Sequence, residues 1–335
     1  MIWKNVELFN VCDIEQRVDG AVRLYRFSND ARTAFANSHE ISALSTGNMT
    51  TGCEIRFVGR SANILLSSQG CDGRVEVYRG DFLRSVEHLQ AGIVKCVELR
   101  ANDNMDKQFP TDYKGRFSPN VWRVVFDHDC QIMIHDIQPL SEIRPPHADE
   151  VPNKKIIAYG SSITHSACAV LYTNSYVHTM AKALNADVLC KGMGGNCFIQ
   201  KPVADYVIQE DWDVALLELG INMLDCYPVS VFEERATYLI ENILKQNKPV
   251  VLISNFTSFR SLPTDPLRQV NDDYVACLEK IYQRFACDHL FYIRGQDIVT
   301  DWEYLCSDLL HPSPYGHVEM GRKIAKILRE DFKIL

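Results

Sequence analysis

One serine, two glycine-bearing turns and an aspartate–histidine pair recur along this chain in an order that acyl transfer can use. The serine is Ser162, in Gly160-Ser161-Ser162-Ile163-Thr164. Gly192-Met193-Gly194-Gly195-Asn196 and Gly220-Ile221-Asn222 follow, and Asp308-Leu309-Leu310-His311 comes last. A serine hydroxyl is a weak nucleophile until an imidazole can take its proton, and a carboxylate orients the imidazole. Ser162, His311 and Asp308 are the residue types for those roles. Charge that develops on a carbonyl oxygen needs preorganised donors. The backbone N–H groups of Ser162 and Gly195 and the side-chain amide of Asn222 are candidates for that oxyanion hole.

Each block alone has an ordinary explanation. Ser and Gly are common in turns and at helix starts, Gly192 to Asn196 reads as a tight turn needing positive φ, and Asn222 reads as a turn residue. A dinucleotide fingerprint would need Gly where Cys197 stands, and a phosphate loop would need Gly-Lys-Ser/Thr, so both nucleotide readings fail. Thr164 stands where a Gly-x-Ser-x-Gly nucleophile elbow needs its second Gly. Helix initiation explains Ser313 and Pro314 as N-cap and first helical position but requires neither Asp308 nor His311. Ser161, His165, Asn196, Met223, Tyr227 and Trp302 flank the blocks and are candidates to line a substrate pocket. Packing is the competing role for these residues, and His165 is expected on a helix surface. The loop from Ser258 to Arg268 follows a strand and is a candidate pocket border.

Such residues need strand ends to hold them. Beyond about residue 154 the chain alternates apolar strands and helices: strands at Lys155 to Tyr159, Asp187 to Cys190, Val214 to Leu219, Pro249 to Ser254 and His289 to Ile293. Between the third and fourth, Val229 to Lys245 reads as a helix with Phe232, Ala236, Leu239, Ile240 and Ile243 on one face. This is the rhythm of a parallel sheet covered on both sides, whose chemistry gathers at the carboxyl ends of the strands. Residues 1 to 140 have a different grammar. Short alternating strands at Glu54 to Val58, Asn63 to Ser67, Arg74 to Arg79, Ile93 to Leu99, Val121 to Phe126 and Gln131 to Ile137 predict an antiparallel β-sandwich. Pro145, Pro146 and Pro152 mark residues 141–153 as a linker, which leaves 154–335 as the second domain.

The chain has 335 residues, 46% hydrophobic, with a formal net charge of -8. That length allows two domains with a sizeable core, and that charge disfavours nucleic acid and anionic membranes as partners. A small-molecule ester is the expected substrate. The first residues carry Lys4, Asn5 and Glu7 and lack the apolar core of a secretory signal, and no apolar run has transmembrane length. The 12 cysteines show no CxxC pair or zinc spacing. Cys96, Cys130 and Cys190 sit in strand-like segments, as buried reduced thiols would, so the expected location is the cytoplasm. The Asn-x-Ser/Thr matches at Asn48 and Asn255 are then chance. No metal or cofactor is expected, and the oligomeric state is left open.

Together the blocks resemble the SGNH, or GDSL-type, esterase and acylhydrolase superfamily. Its four hallmarks are the Ser of Gly-Asp-Ser, a Gly, the Asn of Gly-x-Asn and the His of Asp-x-x-His. They fall on Ser162, Gly195, Asn222 and His311, and the likeness spans roughly residues 154 to 331. The resemblance implies a flavodoxin-like three-layer α/β/α domain. Together with the sandwich ahead of it, which is similar to the jelly-roll-like domain of some carbohydrate esterases, it implies a serine esterase of short, acetyl-like esters on a sugar or other polar molecule. An acyltransferase, lipase or thioesterase with the same site, and a glycan-binding protein with an inactive hydrolase domain, are the alternatives. The chain departs from the pattern at Ser161, where the family usually has Asp, so support of the Ser162 turn has to come from elsewhere.

Overall fold

A computed structural model describes residues 1–36, 41–101, 104–110 and 112–334. The chain divides into two compact units, the first of residues Met1–Arg26 and Asn48–Asn153, the second of Phe27–Gly47 and Lys154–Leu335.

The first unit is a sandwich of two antiparallel sheets. One sheet runs β1 (Ile2–Trp3), β2 (Val6–Phe9), β5 (Glu54–Gly59), β10 (Val121–Phe126), β7 (Gly73–Arg79) and β8 (Phe82–Leu89), and β12 (Ile143–Arg144) also pairs with β5. The other runs β3 (Asp13–Gln16), β4 (Val22–Tyr25), β11 (Gln131–Pro139), β6 (Ser61–Gln69) and β9 (Lys95–Arg100). Alternate residues face inward, as a pleat with period 2 requires. Leu8, Ile55, Phe57, Ile64, Leu66, Val77, Trp122, Val124 and Ile134 belong to the buried core between the sheets. A short helix, α3 (Asn104–Lys107), completes the unit.

Two expectations about boundaries change. Residues 141–153 are grouped with the sandwich, because Ile143 and Arg144 pair with Gly59 and Val58, and the Arg144 guanidinium grips the Glu150 carboxylate at 2.7 and 2.9 Å. The prolines interrupt regular structure there without freeing the chain. Residues Phe27–Gly47, expected within the sandwich, belong to the second unit. They contain α1 (Asn29–Ala36) and all but the last residue of α2 (Ile41–Asn48), with Phe27, Ala31 and Phe35 buried and the Phe27 ring 5.7 Å from that of Tyr206.

The second unit is built on a parallel sheet in the order β14 (Asp187–Gly192), β13 (Lys155–Gly160), β15 (Val214–Glu218), β16 (Val250–Ile253), β17 (Leu290–Ile293). That is the 2-1-3-4-5 order of a flavodoxin-like fold, whose switch point lies between the first and third strands. Besides α1 and α2, its helices among the described residues are α4 (Tyr176–Ala183), α5 (Lys201–Gln209), α6 (Val229–Ile243), α7 (Arg268–Arg284), α8 (Gly295–Ile298) and α9 (Pro314–Lys326). Helix α6 buries Phe232, Ala236, Leu239, Ile240 and Ile243, the face its apolar spacing predicts. Helix α9 starts at Pro314, and the Ser313 hydroxyl accepts the Gly316 N–H. Among the described residues no helix is long and apolar enough to cross a membrane.

Candidate active site

Strand β13 ends at the switch point and delivers Ser162 there. The turn that follows folds back over the strand ends, which demands close approach. A Cβ on Gly160 would lie 2.3 Å from Thr164 Oγ1, and one on its register partner Gly192 would lie 2.3 Å from the His165 nitrogen. Only glycine fits either place. The turn is laced by His165 N–H to the Ser161 carbonyl at 2.9 Å, Ala167 N–H to the Ser162 carbonyl at 2.9 Å, and Ile163 N–H to the Ser161 hydroxyl at 3.1 Å. Left-handed Ser166 and Cys168, at φ 80° and 66°, stop it from continuing as a helix.

At the other end of the sequence a tight hairpin holds the aspartate–histidine pair. Cys306 N–H donates to the His311 carbonyl at 2.8 Å, Ser313 N–H to the Tyr304 carbonyl at 2.7 Å, and Leu309 takes a left-handed φ of 53°. That strained geometry, characteristic of functional turns, lets the Leu310 and His311 amides both donate to Asp308 Oδ1, at 3.0 and 3.1 Å. The second carboxylate oxygen, Oδ2, lies 2.7 Å from His311 Nδ1, and His311 Nε2 lies 2.8 Å from Ser162 Oγ. Burial pushes the Asp308 carboxyl upward, but the bonds from the His311 ring and the two amides outweigh it and hold the group below its ordinary range. An ionised Asp308 accepts the Nδ1 proton, which leaves Nε2 as the acceptor that faces the serine hydroxyl.

The donor side is assembled from the ends of β14 and β15. Asn222 Oδ1 accepts the Cys197 N–H at 3.1 Å, which fixes the amide orientation and leaves Nδ2 as a donor without a partner among the described residues. The Ser162 and Gly195 N–H groups likewise have no acceptor among the described residues. Gly195 has a φ of 71° with open space where a Cβ would point, so the positive-φ reading of this turn also holds. Gly194 lies against Ser162, since a Cβ there would stand 3.6 Å from Ser162 Cβ.

The flanking candidates divide. Ser161, His165, Asn196 and Met223 are buried, at 0, 3, 3 and 0% exposure, so they support the site from below instead of lining an open pocket. Asn196 Nδ2 donates to the Gly194 carbonyl at 2.9 Å and braces that turn. His165 is packed inside the Ser162 turn, not on a helix surface, because the chain folds back over Gly192. Tyr227 is half-buried against Phe198, and Trp302 is exposed on the approach to the Asp308 hairpin. The loop after β16 does border the site, as Phe259 N–H donates to the Leu309 carbonyl at 2.7 Å. A cavity of about 510 Å³ opens beyond it between Thr257, Arg268, Asp272 and Arg294 and contains none of the four blocks.

Several site residues escape the sequence reading. Glu218, the last residue of β15, is buried under the Ser162 turn. Its Oε2 accepts the Ser161 N–H at 2.7 Å and the Thr164 hydroxyl at 3.1 Å. The Thr164 hydroxyl also lies 2.6 Å from Tyr176 Oη. His317 pins the far end of the turn, with Nε2 2.8 Å from the Ala167 carbonyl. The thiol of Cys168 stands at the rim, its sulfur and the donor atoms of Asp308 and His311 all within 4.8 Å of one another. Thr46, from the Phe27–Gly47 excursion, places its hydroxyl 3.5 Å from the Gly194 carbonyl.

The model of the GDSL-like Lipase/Acylhydrolase family matches residues 153–329. No curated protein matches the chain in sequence. Among solved structures, the salicylyl-acyltransferase SsfX3 of a tetracycline biosynthetic pathway is similar at a TM-score of 0.77 and 15% identity, over 96% of this chain and 93% of that one. A GDSL-like lipase, so described, from Bacteroides ovatus is similar at 0.69 and 14%, over 99% and 97%. A family two carbohydrate esterase from Cellvibrio japonicus is similar at 0.66 and 14%, over 98% and 96%. At such identities the likeness establishes the fold, sandwich included.

Proposed function

The chain belongs to the GDSL-like lipase/acylhydrolase family, and from that premise we propose that it is a serine esterase cleaving short acyl esters, acetyl above all, of a sugar or other small polar alcohol. The observation that carries the reading is the continuous run of hydrogen bonds from Asp308 Oδ2 through His311 to Ser162 Oγ, closed across 149 residues of sequence. His311 Nε2 takes the hydroxyl proton as Ser162 Oγ attacks the ester carbonyl. Asp308 holds the imidazole in the required tautomer and stabilises its protonated form. The N–H groups of Ser162 and Gly195 and Asn222 Nδ2 receive the oxyanion. His311 returns the proton to the leaving alcohol, and water activated by the same imidazole releases the acid from acyl-Ser162.

The carbohydrate esterase among the similar structures, with its sandwich, supports a polar alcohol. The absence from the sequence of a long apolar lid supports a short acyl group. A fluorophosphonate should label Ser162, read by mass spectrometry of the peptide, and hydrolysis of p-nitrophenyl esters should fall steeply beyond butyrate. Preference for octanoyl or longer esters would overturn the substrate class. The acyltransferase among the similar structures supports a second reading, capture of the acyl-enzyme by an alcohol. The ratio of transfer to hydrolysis with added acetyl acceptors decides between the two.

A further inference from the structure

The four blocks provide nucleophile, base and donors, yet nothing in them explains what holds Ser162 in register at a turn of small residues. Three of the polar groups around Ser162 are committed. The Ile163 N–H is bound by the Ser161 hydroxyl, the His165 N–H by the Ser161 carbonyl, and the Ser161 N–H by Glu218 Oε2 at 2.7 Å. The Ser162 N–H, between the Ser161 and Ile163 amides, has no acceptor among the described residues and is left to a substrate oxygen. Glu218 therefore fixes the peptide immediately ahead of the proposed oxyanion donor, and through Thr164 Oγ1 it fixes the turn two residues beyond Ser162 as well.

Its setting is unusual for a residue with only a packing role. Burying a carboxylate is costly, and such groups are ordinarily paired with a cation. The groups that face Glu218 are the Ser161 amide and hydroxyl at the end of β13, Thr164 in the turn, Tyr176 from α4 and Cys197 after β14. None is basic. Burial pushes the Glu218 carboxyl up, hydrogen bonds from Ser161 and Thr164 pull it back, and the balance rests at about 7. Burial and the neighbouring Glu218 push the Tyr176 hydroxyl and the Cys197 thiol upward, so both stay neutral around that pH.

We propose that Glu218 is a positioning residue for the nucleophile: by binding the Ser161 amide and the Thr164 hydroxyl it holds the Ser162 N–H and hydroxyl in reacting geometry. The carboxylate comes from the neighbouring strand to a turn whose own preceding residue, Ser161, has none. When ionised it binds its donors with charge-assisted strength, and when protonated it holds them more loosely.

This inference rests on the serine esterase reading, and its test separates the two. Wild type, Ser162→Ala, Glu218→Ala and Glu218→Gln are compared by phosphonylation rate, by kcat and KM on p-nitrophenyl acetate from pH 5.5 to 8.5, and by thermal melting. Glu218→Ala should lower kcat and phosphonylation by about 10- to 100-fold, the range a lost charge-assisted hydrogen bond gives, with KM little changed. Glu218→Gln keeps an acceptor oxygen and should retain most of the rate at pH 6 while lacking one rising step near pH 7 that wild type shows. A Glu218→Ala enzyme within about threefold of wild type in kcat would overturn the proposal while Ser162→Ala is dead. If Glu218→Ala fails to fold, Glu218→Gln decides, and a pH profile that superimposes on wild type overturns the proposal. Activity that survives Ser162→Ala would instead overturn the esterase reading itself.

Discussion

Each unit of this protein buries one glutamate at a strand end, and the two are handled in opposite ways. Glu54 opens β5 in the sandwich with 3% exposure, and Glu218 closes β15 in the hydrolase unit with 1%. Burial pushes both upward. Around Glu54 the guanidiniums of Arg123 and Arg56 win, bonding its carboxylate at 2.7 to 2.8 Å, and hold it far below the carboxylate range. Arg56 and Arg123 themselves lie over the Phe9 and Phe117 rings at 3.7 and 4.0 Å. Around Glu218 only neutral donors oppose burial, and the group is left near neutrality. Two cations clamp the carboxylate of Glu54, whereas that of Glu218 meets only neutral donors beside the Ser162 turn.

That contrast makes a double dissociation the strongest test. Ser162→Ala, next to the poised carboxylate, should remove ester hydrolysis by on the order of 10⁴- to 10⁶-fold. Its melting temperature should match wild type, because no buried group loses a partner. Glu54→Ala should do the reverse. It takes away the carboxylate that bonds both Arg56 and Arg123, at a cost of roughly 3 to 5 kcal/mol, while kcat per folded molecule stays at the wild-type value. Urea unfolding with active-site titration measures both quantities in one experiment. A Glu54 variant that unfolds normally would break the comparison from the structural side.

Asn222→Ala falls between these extremes. Loss of one oxyanion donor should cost about 10²- to 10³-fold in kcat with a small change in KM. It also frees the Cys197 N–H that Asn222 Oδ1 now accepts, so a modest stability loss of about 1 kcal/mol should accompany it. Steady-state kinetics beside thermal melting would show the split. A rise in KM with kcat intact would place Asn222 in ground-state binding and remove it from the oxyanion hole.

The same contrast explains what was legible in the sequence. Strand Val121–Phe126, the apolar face of α6 and the Ser313–Pro314 helix start all follow from neighbours in sequence, and the structure has them as expected. The four chemical blocks were legible because each combines a turn with a reactive or polar residue at a strand end. Glu218 was not, because it sits inside the run Val214 to Leu219 and reads there as one polar interruption. Its role is set by β15 lying beside β13, a pairing between residues more than 50 positions apart. The Phe27–Gly47 helices were missed for a related reason. Their burial comes from α5 and the Gly194 turn, and their own composition of Asn, Ser, Thr and Gly signals a loop. Strand β8 escaped because it is an edge strand with exposed Phe82 and Leu83 and no clean alternation.

The two glutamates should also impose opposite pH slopes on stability. Glu54, with its folded value depressed, adds stability above the unfolded carboxylate value, and that stability is lost as pH falls through the folded one. Glu218 runs the other way. Its folded value of about 7 lies above the ordinary 4.5, so between the two the folded chain holds a proton that the unfolded chain releases. Its contribution is complete below 4.5 and disappears as pH rises through about 7, a span of roughly 3 kcal/mol at the conversion of 1.36 kcal/mol per unit. Glu218→Gln carries no ionisable group there, so relative to wild type it should gain stability as pH rises from 5 to 8. Urea midpoints for the transition reported by Trp212, buried in the hydrolase unit, provide the measurement at each pH. Parallel curves for the two proteins would mean that Glu218 keeps one charge state throughout. The distinction between a clamped and a poised carboxylate would then collapse.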